Sequence, residues 1–146
     1  MPSLSVGIDM IAIPRVRAVL ERHSDRFLRR VYTPEEAAFC RGRVSELAAR
    51  FAAKEAVMKA LGTGARGVGW REIEVLPDRR GKPLVYLYGR AKARADKIGL
   101  RELDVSLTHE RDFAIASVVG VREGEPDDPQ ESRARLVKRL KERGLL

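Results

Sequence analysis

"FAAKEAVMKALGTG", residues 51–64, is the stretch on which the reading of this chain turns. Ala, Leu, Met, Lys and Glu are strong helix formers, so the composition predicts a helix over residues 45–61 that ends at the glycines Gly62, Gly64, Gly67 and Gly69. Glu55 and Lys59 stand four apart and share a face, while Arg50 and Lys54 form a second pair on a neighbouring one. An exposed pair contributes only ~0.3–0.5 kcal/mol, which explains neither the apolar setting nor the glycines behind it. The helix therefore offers an anionic ligand several cations beside a carboxylate. A Walker-type phosphate loop is excluded, because there the glycines precede the helix and its Lys. The turn Gly62-Thr63-Gly64 reads first as a left-handed helix cap, although its glycines would also let a phosphate approach the backbone.

Outward from this helix the periodicities change. "SLSVGID", residues 3–9, alternates Leu4, Val6 and Ile8 with Ser3, Ser5, Gly7 and Asp9, the pattern of a strand with one buried face and with Asp9 closing its polar side. Pro14 suits the first turn of a helix over residues 15–30, in which Val16, Val19, Leu20 and Phe27 recur at helical spacing. Thr33, Pro34 and Glu36 are the N-cap, first-turn proline and capping-box acid of another helix. "EIEVL" (72–76) and "LVYLY" (84–88) form a hairpin across "PDRRGKP". A short helix over residues 91–98 precedes two strands within 103–121 that are joined near residues 110–112. The expected class is α+β with a largely antiparallel sheet.

Residues 1–121 thus make one domain, and residues 122–146 differ in character. "REGEPDDPQES" (122–132) is a polar linker, and "RARLVKRLKERGLL" (133–146) is a basic amphipathic helix with Leu136, Val137 and Leu140 on one side. The simplest expectation is that this helix packs on the domain or frays in solvent.

The 146 residues carry 29 Lys+Arg against 21 Asp+Glu, a net charge of +8 that attracts anions such as nucleic acid, phosphorylated ligands or an acidic protein. The lone Cys40, the absence of a secretory N-terminal pattern and the lack of a ~20-residue apolar run lead us to expect a soluble cytoplasmic protein. With one Cys and two His, a metal must be held by carboxylates. Asp9 and Glu55 are the candidates if they face one another, because Mg²⁺ uses one or two carboxylates and leaves positions for water and phosphate. His109, in "SLTHE", is equally compatible with a structural role and with an anion contact. A small basic nucleic-acid-binding protein is the alternative, weakened by only 5% aromatic residues for base stacking.

Three segments, "VGIDMIAIPR" (6–15), "RFAAKEAVMKALGTG" (50–64) and "VSLTHERDFAIASVV" (105–119), resemble in order and spacing the signature segments of the holo-[acyl-carrier-protein] synthases, the small bacterial 4′-phosphopantetheinyl transferases. The resemblance spans residues 6–121, and its central segment is the specific one. It implies transfer of 4′-phosphopantetheine from coenzyme A to a serine of apo acyl carrier protein, releasing adenosine 3′,5′-bisphosphate, in fatty acid biosynthesis. Matched residue by residue, it makes Asp9 and Glu55 the Mg²⁺ ligands and sets Lys59 beside the pyrophosphate. Arg50, Gly62, Thr63, Gly64, Pro83 and His109 then fall at coenzyme A contact positions. It also implies an α+β fold assembled as a homotrimer with sites between subunits, and docking of the acidic carrier protein on the basic first helix. There Arg15, Arg26 and Arg30 match the contact positions best, and Arg15, Arg22, Arg26 and Arg29 lie within about 60° of one another at about 100° per residue, a cationic stripe beside Val19. The serine proton has three candidate acceptors: Glu55 through a water, a metal-bound hydroxide, or His109. Thr108 stands where many members carry serine, and residues 122–146 extend past the family's usual end.

Overall fold

The computed structural model describes residues 2–124 and 127–146. In chain order the elements are β1 (Ser3–Ala12), α1 (Ile13–Val31), α2 (Pro34–Cys40), α3 (Val44–Leu61), a 3₁₀ turn (Trp70–Glu72), β2 (Ile73–Pro77), β3 (Pro83–Leu87), α4 (Gly89–Lys97), β4 (Leu100–His109), β5 (Phe113–Arg122) and α5 (Pro129–Glu142). The strands form an antiparallel sheet of order β1-β5-β4 and a separate β2-β3 hairpin, in agreement with the expected α+β class.

The helix α3 lies across the three-stranded sheet, and small residues line the contact. Ala49, Ala52, Ala53, Ala56 and Ala60 of α3 are buried, as are Ala114, Ala116 and Val118 of β5. Each such alanine removes little apolar area but lets the two backbones close up, so dispersion contacts replace bulk. At Gly7 the approach is closest: a Cβ there would fall 1.8 Å from the Ala56 carbonyl oxygen. Glycine in the middle of a strand marks this kind of backbone contact.

That packing overturns one expectation. β1 is a strand, but its sides are exchanged: Gly7 is buried, whereas Leu4, Val6, Ile8 and Met10 are 59–70% exposed. Through the register these four lie beside Val121, Val119, Ser117 and Ile115 of β5, giving the sheet an outer face that is largely apolar. Beyond them on β4 the same face turns polar with Glu102, Asp104, Ser106 and Thr108.

Elsewhere local signals and structure agree. The Thr33 side chain accepts from the Glu36 amide and the Glu36 carboxylate accepts from the Thr33 amide, which satisfies two otherwise unpaired donors. Gly62 closes α3 in the left-handed conformation at φ 74°. Asp78 accepts from the Arg80 and Lys82 amides and fixes the hairpin turn. Two further findings differ from the sequence reading. His23 has non-helical dihedrals (φ −140°, ψ 42°) and kinks α1, so the four arginines do not lie on one continuous stripe. The last helix starts at Pro129, inside the expected linker, with Asp128 as its N-cap, and it has no buried residue. No helix among the described residues is long and apolar enough to cross a membrane.

Candidate active site

The inward side of β1 is read by α3 along its whole length. The Ser5 hydroxyl donates to the Ala60 carbonyl, Gly7 abuts Ala56, and Lys59 Nζ donates to the Ile8 carbonyl at 2.7 Å. This register brings Asp9 to Glu55 and Lys59. Lys59 Nζ sits 3.2 Å from Asp9 Oδ1, while Asp9 Oδ2 is buried and has no hydrogen-bond partner among the described residues. An unpaired buried carboxylate oxygen is costly and asks for a cation or a proton.

Glu55 responds to the same surroundings. Burial, then the adjoining Asp9 carboxylate, raise its pKa to about 7, against the opposing pull of Lys59 and Arg15. Asp9, Glu55 and Arg15 line one cavity of about 390 Å³ with Ile11, Val16 and Phe51 among its apolar walls. Among the described residues no group of three or more His, Cys, Asp or Glu side chains gathers, so the available donor set is this pair. Two carboxylates with one orphaned oxygen fit a hard divalent ion that keeps waters and takes ligand phosphates.

A second cavity, of about 430 Å³, is lined by Arg50, Pro83 and His109 together with Phe39, Glu46 and Arg79. Arg50 is only 3% exposed: its Nε donates to the Val75 carbonyl at 3.0 Å, and its Nη1 reaches Glu46 Oε2 at 2.7 Å. Its guanidinium carbon lies 4.6 Å from the Phe39 ring centroid. The Gly62-Thr63-Gly64 turn lines neither cavity. The amides of Gly62 and Thr63 donate to the Lys59 and Met58 carbonyls, so these two donors are committed to the helix end.

Residues 5–118 match the model of the 4′-phosphopantetheinyl transferase superfamily. The chain belongs to the holo-[acyl-carrier-protein] synthase family. It is 49% identical over 125 residues to the Herpetosiphon aurantiacus holo-[acyl-carrier-protein] synthase, which covers 81% of this chain and 98% of that one. To the Gloeobacter violaceus holo-[acyl-carrier-protein] synthase it is 46% identical, covering 77% and 89%. The crystal structure of the Helicobacter pylori holo-[acyl-carrier-protein] synthase in complex with coenzyme A superimposes with a TM-score of 0.73 at 33% identity, covering 79% of this chain and 98% of that one.

In this phosphopantetheinyl transferase the sequence-predicted residues outside the Gly62-Thr63-Gly64 turn divide into three groups. Asp9, Glu55 and Lys59 come together, Arg50, Pro83 and His109 share the second cavity, and Arg15, Arg26 and Arg30 are exposed on α1. Arg15 also lines the carboxylate cavity, a placement its position on a basic helix did not reveal. Lys54 departs from expectation: it is fully buried, donates to Glu36 Oε1 at 2.7 Å and to the Trp70 and Ile73 carbonyls, and presents no charge to a ligand. The glycine in "SVGID" was the available sign that β1 turns its small-residue side toward α3.

The Glu55 shift has a measurable sign. A carboxyl whose folded pKa is raised favours folding while protonated, so that contribution is present below about 4.5 and is lost as pH rises through about 7 in the metal-free protein. A divalent ion competes with the proton. If Asp9 and Glu55 hold Mg²⁺, it should raise the melting temperature more at pH 8 than at pH 6; an equal rise at both would contradict a metal-ligating role for Glu55.

Proposed function

We propose that this chain transfers 4′-phosphopantetheine from coenzyme A to a serine of apo acyl carrier protein, with Mg²⁺, releasing adenosine 3′,5′-bisphosphate. The observation that carries the reading is the Asp9–Glu55 pair with its orphaned oxygen and Lys59 alongside. In the reaction the serine Oγ bonds to the β-phosphorus, the bond from that phosphorus to the bridging oxygen breaks, and the adenosine bisphosphate departs with the electron pair. Asp9 and Glu55 would hold the Mg²⁺, which supplies charge neutralisation at the pyrophosphate when bound. Lys59, 54% exposed and anchored on the Ile8 carbonyl, sets a second positive charge beside the phosphoryl oxygens. Glu55 accepts the serine proton through a water. His109 belongs to the other cavity and takes a coenzyme A contact with Arg50 and Pro83, while the Gly62-Thr63-Gly64 turn adds an exposed edge to that ligand's path.

Arg15, Arg26 and Arg30 are the proposed docking residues for the acidic carrier, speeding encounter in a way that salt weakens. The reaction serves fatty acid biosynthesis in the cytoplasm. Residues 1–121 carry it, and residues 122–146 are an extension.

The site is shared between subunits of a homotrimer in this reading. Two features support assembly: the two groups of ligand residues occupy separate cavities of one chain, and the β1–β5 outer face exposes contiguous apolar side chains. Light scattering is expected to give three times the monomer mass, and Val6→Asp on that face should yield a folded monomer. An unchanged mass for the variant would refute this interface. The transfer itself is tested by mass spectrometry of apo acyl carrier protein incubated with coenzyme A, Mg²⁺ and the enzyme. The phosphopantetheine mass should appear only when all are present, and its absence over varied carriers and salt would sink the proposal.

A further inference from the structure

Gly7 is used by none of the chemistry above, yet it occupies the tightest point between the elements that carry the two carboxylates. Its inward position lies between Ser5, which donates to Ala60, and Asp9, which faces Glu55 and Lys59. A Cβ at Gly7 would fall 1.8 Å from the Ala56 oxygen, 2.8 Å from the Ala56 carbonyl carbon and 3.2 Å from the Ala60 amide nitrogen. All three are backbone atoms, so no side-chain rotation relieves the clash. A methyl here can be accommodated only if α3 moves away from β1. Ala56 directly follows Glu55, and Gly7 stands two residues before Asp9 on the same side of the strand, so such a movement widens the gap between the two carboxylates.

We infer that Gly7 is a positioning residue for the divalent-cation site: the missing side chain sets the spacing across which Asp9 and Glu55 share one ion. The inference rests on the metal reading of that pair. Spacing matters because Mg²⁺ demands near-ideal oxygen geometry at short range, and a two-carboxylate set has no third protein ligand to compensate for a displaced one. Much of the rest of the interface is built from small side chains, Ala52, Ala53, Ala56 and Ala60 against Ala116 and Val118.

The test uses the full-length protein and Mn²⁺ as probe, with free Mn²⁺ read by electron paramagnetic resonance and folding followed by circular dichroism. Gly7→Ala should remain folded and bind Mn²⁺ about tenfold or more weakly, the scale expected when supports of a metal site are altered. Gly120→Ala is the control, because a Cβ there meets Leu100 and the Glu102 carbonyl oxygen at 2.4 and 3.0 Å, next to Leu103 and away from Asp9 and Glu55. It should lower stability while leaving Mn²⁺ affinity within about twofold, since overpacking costs stability wherever it occurs. Adding Asp9→Glu to Gly7→Ala should recover part of the lost affinity by lengthening the reach of one ligand.

Unchanged affinity in Gly7→Ala would overturn the inference, as would equal losses in both glycine variants. Should Gly7→Ala unfold in buffer, trimethylamine N-oxide is added to restore the fold; failure to refold would overturn it too, because a spacing role requires a displaced helix and not a lost one. Mn²⁺ binding by the wild type that is indifferent to Glu55→Gln marks a different failure, that of the metal reading itself.

Discussion

Glu55→Gln should lower metal-dependent turnover by roughly 10²–10³-fold, the range seen when one preorganised electrostatic partner of a transition state is removed, with the fold intact. The substitution keeps the shape of a half-buried side chain while removing its charge, so loss of packing is not the cause. Asp9→Asn should act in the same direction through the other carboxylate, whose Oδ2 has no hydrogen-bond partner among the described residues. The two losses should be far from additive, because in the proposed reading both carboxylates would hold the same ion and removing either would disrupt the same site. The measurement is single-turnover transfer to apo acyl carrier protein over a Mg²⁺ titration, with melting temperature recorded alongside. Normal turnover in either variant would refute the assignment. A loss of turnover accompanied by a lost fold would instead mark these carboxylates as structural.

Lys54→Met is expected to destabilise the protein by about 3–5 kcal/mol, the usual result of removing one partner from a buried ion pair. Both ends of the Lys54–Glu36 pair are 0% exposed. Burial pulls the Lys54 pKa below the ordinary lysine value, and the charge of Glu36 pulls it back, which is the balance of a compensated buried charge. The lysine donates to Glu36 Oε1 and to the Trp70 and Ile73 carbonyls, while Glu36 also accepts from the Thr33 and Val75 amides. One side chain thus ties α3 to the start of α2, the 3₁₀ turn and β2. Methionine fills the space of the stem but leaves the buried Glu36 charge uncompensated and takes one donor from each of the Trp70 and Ile73 carbonyls. At roughly 2–4 °C per kcal/mol for a chain of this size, the melting temperature should fall by on the order of 10 °C. Glu36→Gln should also destabilise the fold, because it leaves the buried Lys54 ammonium without its counter-charge. A Lys54→Met protein that melts within about 2 °C of wild type would show that the pair contributes no net stability.

The order and type of the elements are legible along the chain, because their signals are local. Thr33 and Glu36 build a capping box from residues three apart, Gly62 supplies a left-handed cap, and Asp78 and Gly81 close a hairpin. The sequence also brought out Asp9, Glu55 and Lys59, through spacing within one helix and resemblance to a family to which the chain belongs. Which side of β1 is inside depends on the packing of α3 against it. An alternating strand states that its two sides differ; which one is covered depends on what packs there, and an alanine-rich helix selects the side with Gly7 over the side with Leu4 and Val6. The same holds for Lys54, which helical periodicity places beside Arg50 but which the distant Glu36 draws into the interior. It holds too for Arg50, Pro83 and His109, which come from three elements and meet apart from the carboxylates. Contacts between residues far apart in the chain leave no period in the sequence, and these are the contacts that make the site.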